Sequence, residues 1–143
     1  MKLTSITANR HIFDDRVREK PLRLLLNLED GRSLRLHVAG DGEQMITDGD
    51  PLAEPCDMGE YGRIDIGDVT QSLCPQLRDA DIDYIRALNW HGRQVGVKLI
   101  LAGDEAFHFW VDGDELHWGD EAALTGHNWL DGLVPELGDR LQI

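Results

Sequence analysis

The chain has 143 residues, with 27 acidic and 14 basic side chains and a formal net charge of −13 at pH 7. This length predicts one domain with a substantial core, and a hydrophobic content of 41% excludes a disordered chain. Because contacts with phosphate need a basic surface, the charge disfavours direct binding to nucleic acid and to anionic membranes. Such a charge is typical of a soluble bacterial protein, or of one that meets a basic partner.

The first predicted strand covers residues 3–12, and a first meander of three strands follows at residues 21–46. Apolar residues there recur at every second position, which is the period of a strand with one buried face. An Asp-Gly pair at Asp30 supplies the turn between the first two strands. The alternating residues are Leu24, Leu26, Leu28, Leu34, Leu36 and Val38.

The next predicted elements are shorter. Residues 47–62 contain two prolines and several acids, which favour a loop. Residues 63–70 resume strand character, with Ile64 and Ile66 expected to face the core. A short turn or helix at residues 75–80 then precedes a second long strand.

That second strand, at residues 82–90, leads into a second meander at residues 94–118. The period of two returns on both sides of a glycine turn, and the segment from Asp112 to Asp114 tolerates positive φ in a hairpin. The alternating residues are Val95, Val97, Leu99, Leu101, Phe107, Phe109 and Val111. Beyond it we expect one helical turn at residues 120–125 and an edge strand at residues 140–143.

A shift of 73 positions superimposes the apolar pattern of the two meanders, and it brings their glycine turns together. We therefore predict an internal repeat of residues 3–48 in residues 82–120. Convergent patterning of unrelated hairpins is the alternative, since all hairpins alternate. The predicted fold is mostly β, an α+β chain with little helix. Its two pseudo-repeated antiparallel meanders pack into one sandwich- or barrel-like domain over residues 1–143.

The N-terminus lacks the apolar run of a signal peptide, and no apolar stretch is long enough for a membrane span. We therefore expect a cytoplasmic protein without membrane contacts. Cys56 and Cys74 lie far apart and outside any CxxC motif. They do not form a disulfide framework, and free thiols are favoured over a single bridge.

All four tryptophans lie within two residues of a histidine, in the second half of the chain. On the second meander, His108 and Trp110 face away from the Phe107 side, whereas the first meander has Arg35 and His37 at the matching positions. Tryptophan is enriched at binding hot spots. One hypothesis is therefore a partner-binding face of His108 and Trp110 with Lys98 beside them. The alternatives are a covered core and a ligand pocket.

A metal site is a second hypothesis, because imidazole and carboxylate ligands lie close in sequence. The weak candidates are His117, Asp112 and Asp114, but the turn alone explains both aspartates. The chain has no HExxH and no calcium-binding loop. We predict no metal and no cofactor.

The loop at residues 41–60 carries seven acids, and Asp48 and Asp50 are its candidate partner-binding residues. An acidic segment attracts a basic protein and speeds association. A solvated loop without a partner is the alternative.

These patterns predict a non-enzymatic, acidic interaction or regulatory module that neutralises a basic partner protein. No nucleophile motif supports an enzyme. The alternative function is a protein that binds a small ligand or metal, a hydrolase included, through the His/Asp/Trp cluster of the second meander. Unpaired strand edges also allow a homodimer.

Overall fold

A computed structural model describes residues 1–129 and 132–143, and this part of the chain is mostly β. The strands are β1 (Leu3–Phe13), β2 (Arg16–Val17), β3 (Arg23–Leu28), β4 (Ser33–Val38), β5 (Met45–Asp48), β6 (Cys56–Asp57), β7 (Arg63–Asp68), β8 (Ile82–Trp90), β9 (Arg93–Leu101), β10 (Ala106–Asp112), β11 (Glu115–Gly119) and β12 (Glu136–Arg140). The helices are α1 (Thr70–Leu73) and α2 (Glu121–Gly126), and 3₁₀ turns lie at Gly59–Tyr61 and Pro75–Leu77.

The strands form two antiparallel sheets that pack face to face. The first sheet has the order β5-β4-β3-β1-β7-β6, with β2 paired to the end of β1. The second sheet has the order β11-β10-β9-β8-β12. The predicted mostly β, sandwich-like fold is therefore confirmed, with two separate sheets in place of a barrel.

The core between the sheets consists of the residues that alternate in the sequence. On the first sheet, Leu24, Leu26 and Leu36 have no exposed surface. On the second, Val97 and Phe109 are likewise fully buried. Each contributes roughly 1.5–3 kcal/mol relative to an exposed side chain. Burial of the alternating face thus fixes which side of each sheet faces inward.

The two predicted meanders have the same order of strands. β3, β4 and β5 follow one another across the first sheet with β1 beside β3, and β9, β10 and β11 do so across the second with β8 beside β9. Meanders share this arrangement whatever their origin, so an internal duplication stays a prediction. A homodimer through the sheet edges also stays a prediction.

Two details of the predicted strands were wrong. Ile64 and Ile66 do not face the core: they pair with His11 and Asn9 on the outer face of the first sheet, and Ile66 is 42% exposed. The terminal edge strand is β12, which ends at Arg140 where we expected it to begin. Neither helix in the described chain approaches the length and hydropathy of a membrane span.

Candidate functional site

The outer face of the second sheet is covered. Trp110 is 2% exposed, and it packs against Leu88 of β8, Leu124 of α2 and Trp129 in the segment that follows. His108 is fully buried on the same face. The structure thus places both side chains under a cover, as in the covered-core alternative, and a role of His108 and Trp110 in partner binding stays a prediction.

Two glycines allow close packing around Trp110. A Cβ on Gly96 would lie 2.3 Å from the carbonyl oxygen of Phe109, on the strand beside Trp110. A Cβ on Gly119 would lie 2.4 Å from the Cβ of Ala123 in α2. Since real Cβ atoms do not approach so closely, Gly119 lets α2 pack directly onto the sheet.

His108 lies under the first residue of α2. Its Nδ1 donates to the carbonyl oxygen of Gly119 at 3.2 Å, and its Nε2 is 3.1 Å from a carboxylate oxygen of Glu121. Burial lowers the pKa of His108 more than the nearby Glu121 raises it. Lys98 Nζ lies 3.7 Å from the same carboxylate. Lys98, the third predicted contact residue, is therefore directed toward α2.

Four rings form a contiguous cluster at the edge of this covered face. The planes of Trp110 and His117 stack with centroids 5.9 Å apart, and His127 meets both at 5.5 and 4.7 Å. Trp129 lies 4.7 Å from His127 and completes the group. Each tryptophan lies close to a histidine in the sequence, but that spacing does not predict that two of these pairs converge in the fold.

Asp112 holds the two histidines in place. His127 Nε2 donates to Asp112 Oδ2 at 2.7 Å, and His117 Nε2 donates to the Asp112 carbonyl oxygen at 3.1 Å. His117 Nδ1 accepts from Lys20 Nζ at 2.9 Å. Burial is the main cause that lowers the pKa of His117. The ring is therefore a neutral hydrogen-bonding group with both nitrogens engaged.

The weak metal candidates do not come together as ligands. His117 uses both ring nitrogens in hydrogen bonds to Lys20 and Asp112, and one of the two carboxylate oxygens of Asp112 is bound by His127. Among residues 1–129 and 132–143, no three His, Cys, Asp or Glu side chains are grouped as a metal site.

A cavity of about 350 Å³ adjoins the ring cluster at the seam between the two sheets. We call it the seam cavity. Its lining residues are Glu43, Trp90, His91, Arg93, Val95, Val111, Asp112 and Trp129. Trp129 belongs both to the ring cluster and to this lining, so ligand contacts here would reach the four-ring group directly.

The walls of the seam cavity are tied to the fold. The indole N–H of Trp90 donates to the carbonyl oxygen of Leu133 at 3.1 Å, and that of Trp129 donates to Leu124 at 2.8 Å. Arg93 Nη1 donates to a carboxylate oxygen of Glu43, in the turn between β4 and β5 of the other sheet, at 3.2 Å across the seam. Sequence reasoning missed Glu43 and Arg93, because 50 residues separate them and no local pattern connects them.

Part of the acidic loop at residues 41–60 is bound to the fold by ion pairs. Both carboxylate oxygens of Asp48 accept from Arg35, at 2.8 and 2.7 Å. This bidentate pair lowers the pKa of Asp48. Asp50 keeps 72% of its side chain exposed and lies 3.6 Å from Arg35. Of the two predicted partner-binding acids, Asp48 is thus engaged within the fold, and Asp50 faces solvent.

The two cysteines are free thiols, Cys56 exposed and Cys74 buried. Burial raises the pKa of Cys74 to about 12, so its thiol is a packed core group.

Comparison with models of protein families, with curated proteins and with solved structures finds no match to this chain.

Proposed function

We propose that the protein binds a small organic cation in the seam cavity. The observation that carries the proposal is the composition of the walls: Trp90 and Trp129 contribute indole rings beside the carboxylates of Glu43 and Asp112. One positive side chain, Arg93, lies among the lining residues described, and Glu43 already binds it. The cavity therefore keeps the negative charge of Asp112 next to aromatic faces.

This arrangement suits a cation for two physical reasons. The face of an indole attracts a cation, with a contribution of about 0.5–2 kcal/mol that grows as the site is desolvated. Asp112 Oδ1 accepts no hydrogen bond from the residues described, whereas Oδ2 is bound by His127. Because His127 orients the carboxylate, the loss of side-chain entropy at Asp112 on ligand binding is reduced.

Size and long-range charge support the same ligand class. A volume of about 350 Å³ lies within the roughly 300–1,000 Å³ range of small-molecule sites. The net charge of −13 raises the local concentration of cations around the molecule. A cation in this cavity would contact Asp112 and Trp129, which belong to the His/Asp/Trp cluster predicted to bind a small ligand, and it requires no metal.

The test is a titration with tetramethylammonium, followed by tryptophan fluorescence and calorimetry. We expect saturable binding of this cation and much weaker binding of tert-butanol, which has the same shape without the charge. Equal binding of both compounds would show an apolar cavity without cation recognition and would refute the proposal.

A pair of charge-matched variants locates the site. Asp112→Asn removes the carboxylate and keeps its volume, and we expect about a tenfold loss of affinity, in line with the loss of one charged contact. Asp104→Asn removes an equal charge from the β9–β10 turn, outside the seam cavity. Equal weakening by both variants would leave only diffuse attraction and contradict a site at Asp112.

A basic protein partner remains the second candidate function, because Asp50 stays exposed in an acidic loop. Its test is a titration with a lysine-rich peptide at low and at physiological salt. We expect Asp50→Lys to abolish a salt-sensitive complex and Asp104→Lys to retain most of it. No difference between the two variants would remove the loop from consideration.

A further inference from the structure

A second cavity, of about 190 Å³, opens on the first sheet, far along the chain from the tryptophans. We call it the arginine cavity. Its lining residues are Asn9, Arg10, His11, Arg18, Pro21, Leu22, Arg23, Ala53 and Ile64. The outward-facing Ile64, which the sequence led us to expect in the core, forms part of its apolar wall.

The walls of the arginine cavity are fixed by hydrogen bonds. Asn9 Nδ2 donates to the carbonyl oxygen of Ala53 at 2.9 Å, and Asn9 Oδ1 accepts from the Ala53 N–H at 3.0 Å. This reciprocal pair holds the loop after β5 against β1. On the other side, the N–H of Arg18 donates to the His11 carbonyl oxygen at 2.8 Å. The cavity therefore exists before any ligand binds.

The arginine cavity is lined by positive side chains, whereas the molecule as a whole is negatively charged. Acidic residues outnumber basic ones by 27 to 14 in the chain, yet three arginines and no acid appear among the described lining residues. Arg10 is neutralised by Asp65, which accepts from Nε and Nη2 at 2.9 Å each. Arg18 and Arg23 form no ion pair and no side-chain hydrogen bond within residues 1–129 and 132–143. Two uncompensated positive charges thus share one small cavity.

We propose that the arginine cavity binds an oxyanion, the phosphate or carboxylate group of a small molecule. The planar fork of a guanidinium matches either group with two parallel hydrogen bonds. His11 Nε2 donates to the Tyr61 carbonyl oxygen at 2.7 Å, so the Nδ1 of the neutral ring is an acceptor and the donors for an anion are the two arginines. An anion would also relieve the repulsion between the two arginines.

The volume sets the size of the ligand. It is smaller than the roughly 300–1,000 Å³ of sites for drug-sized molecules, so it accommodates a small anion or the anionic end of a larger molecule. Pro21, Leu22 and Ile64 offer apolar contacts for a short carbon chain beside that group. This site is independent of the seam cavity and takes a ligand of the opposite charge.

The experiment titrates the whole chain with inorganic phosphate and, separately, with citrate, while sodium chloride keeps the ionic strength constant. Calorimetry and the amide and guanidinium N–H signals in NMR spectra measure the binding. We expect saturation by at least one of the two anions, with shifts at the Arg18 and Arg23 side chains. Saturation by phosphate alone or by citrate alone identifies which oxyanion the cavity prefers.

Three variants separate this site from general electrostatics. We expect Arg18→Gln and Arg23→Gln each to weaken anion binding by about tenfold or more, the effect of losing one charge-assisted pair. Arg16→Gln is the matched control, because Arg16 is exposed on the neighbouring β2 and does not line the cavity. We expect it to leave anion binding within about twofold.

Two results would overturn the proposal: a response that never saturates at constant ionic strength, or equal weakening by Arg16→Gln and Arg18→Gln. Far-UV circular dichroism checks that Arg23→Gln is folded, and Arg18→Gln provides the test at an exposed residue. Tetramethylammonium binding in the seam cavity should be unchanged in these variants. A failure of anion binding in the arginine cavity therefore leaves cation binding in the seam cavity unaffected, and a failure of cation binding leaves anion binding unaffected.

Discussion

The outer faces of the two sheets begin from matching positions and are covered in different ways. Arg35 and His37 on β4 correspond to His108 and Trp110 on β10 under the 73-residue shift. Arg35 is bound by Asp48 from the next strand, and this face stays polar. Trp110 is instead buried under α2 and Trp129 as part of a second, smaller core.

The two faces diverge at an aspartate that follows each meander. Asp48 places its carboxylate on Arg35 and continues into a loop. Asp120, at the corresponding place, accepts a hydrogen bond from the Ala123 N–H at 2.9 Å and so caps the start of α2. Similar meanders thus acquire different surfaces from the few residues that come after them, an ion pair in one case and a helix in the other.

The largest expected effect comes from removing the side chain that α2 covers. Trp110→Ala deletes an indole that is 2% exposed, and we expect the free energy of unfolding to fall by about 3–5 kcal/mol. His37→Ala changes the matching position of the first sheet, where a smaller ring keeps 15% of its side chain exposed and lies 3.7 Å from Asp48. We expect it to cost about 1–2 kcal/mol. Urea denaturation of both variants measures the difference.

Equal losses from Trp110→Ala and His37→Ala would contradict this comparison, since they would mean that α2 contributes no more than the polar cover of the first sheet. Retained stability with increased fluorescence of Trp129 would instead show that α2 adjusts to fill the space.

A smaller effect is expected from separating α2 from the sheet without removing any contact. Gly119→Ala places a Cβ within 2.4 Å of the Cβ of Ala123, so α2 must shift. We expect a loss of about 1–3 kcal/mol, as for other overpacked sites. Gly126→Ala is the matched control, because its Cβ would meet no atom within 4 Å. Thermal melting that ranks Gly126→Ala as the worse variant would exclude tight packing at Gly119.

The core could be predicted from the sequence, and the covers of the two sheets could not. Apolar residues at every second position share one face of a strand, and this pattern correctly predicted that Leu26 and Phe109 are buried. It does not state what lies over the opposite face. The burial of Trp110 depends on Leu124 and Trp129, and the seam cavity depends on Glu43 meeting Arg93, contacts that follow only from how the sheets pack.

The Ile66 error has a related cause. Ile64 and Ile66 alternate as buried strand residues do, but β7 lies beyond β1, near the edge of the first sheet. There the inward side of the strand carries Asp65 paired with Arg10, and the isoleucines face outward. Period alone cannot choose between the two sides when both carry plausible residues.

The smallest expected effects are two changes in the pH dependence of stability, one for each sheet. Arg35 lowers the pKa of Asp48 in the folded protein. As pH falls below the ordinary value of 3.8, Asp48 therefore takes up a proton more readily in the unfolded chain than in the folded one. The pKa of His108 is lowered by burial, so for this group the unfolded chain binds a proton first below 6.5. In both cases unfolding becomes easier as pH falls, but in separate pH windows.

Asp48→Asn should therefore reduce the loss of stability below pH 3.8 in part, because the pKa values of Asp30, Asp41 and Asp65 are also lowered. His108→Asn should reduce the loss that begins below pH 6.5. The reduction by His108→Asn is partial, because the lowered pKa values of His37 and His117 contribute in the same window. Denaturation midpoints measured across pH supply the curves. Asp104→Asn and His91→Asn, at exposed turn positions with positive φ that asparagine tolerates, are the controls. If His108→Asn changed only the acid window, the imidazole would already be solvated in the folded protein. The cover that α2 provides over the second sheet would then be open on the timescale of titration.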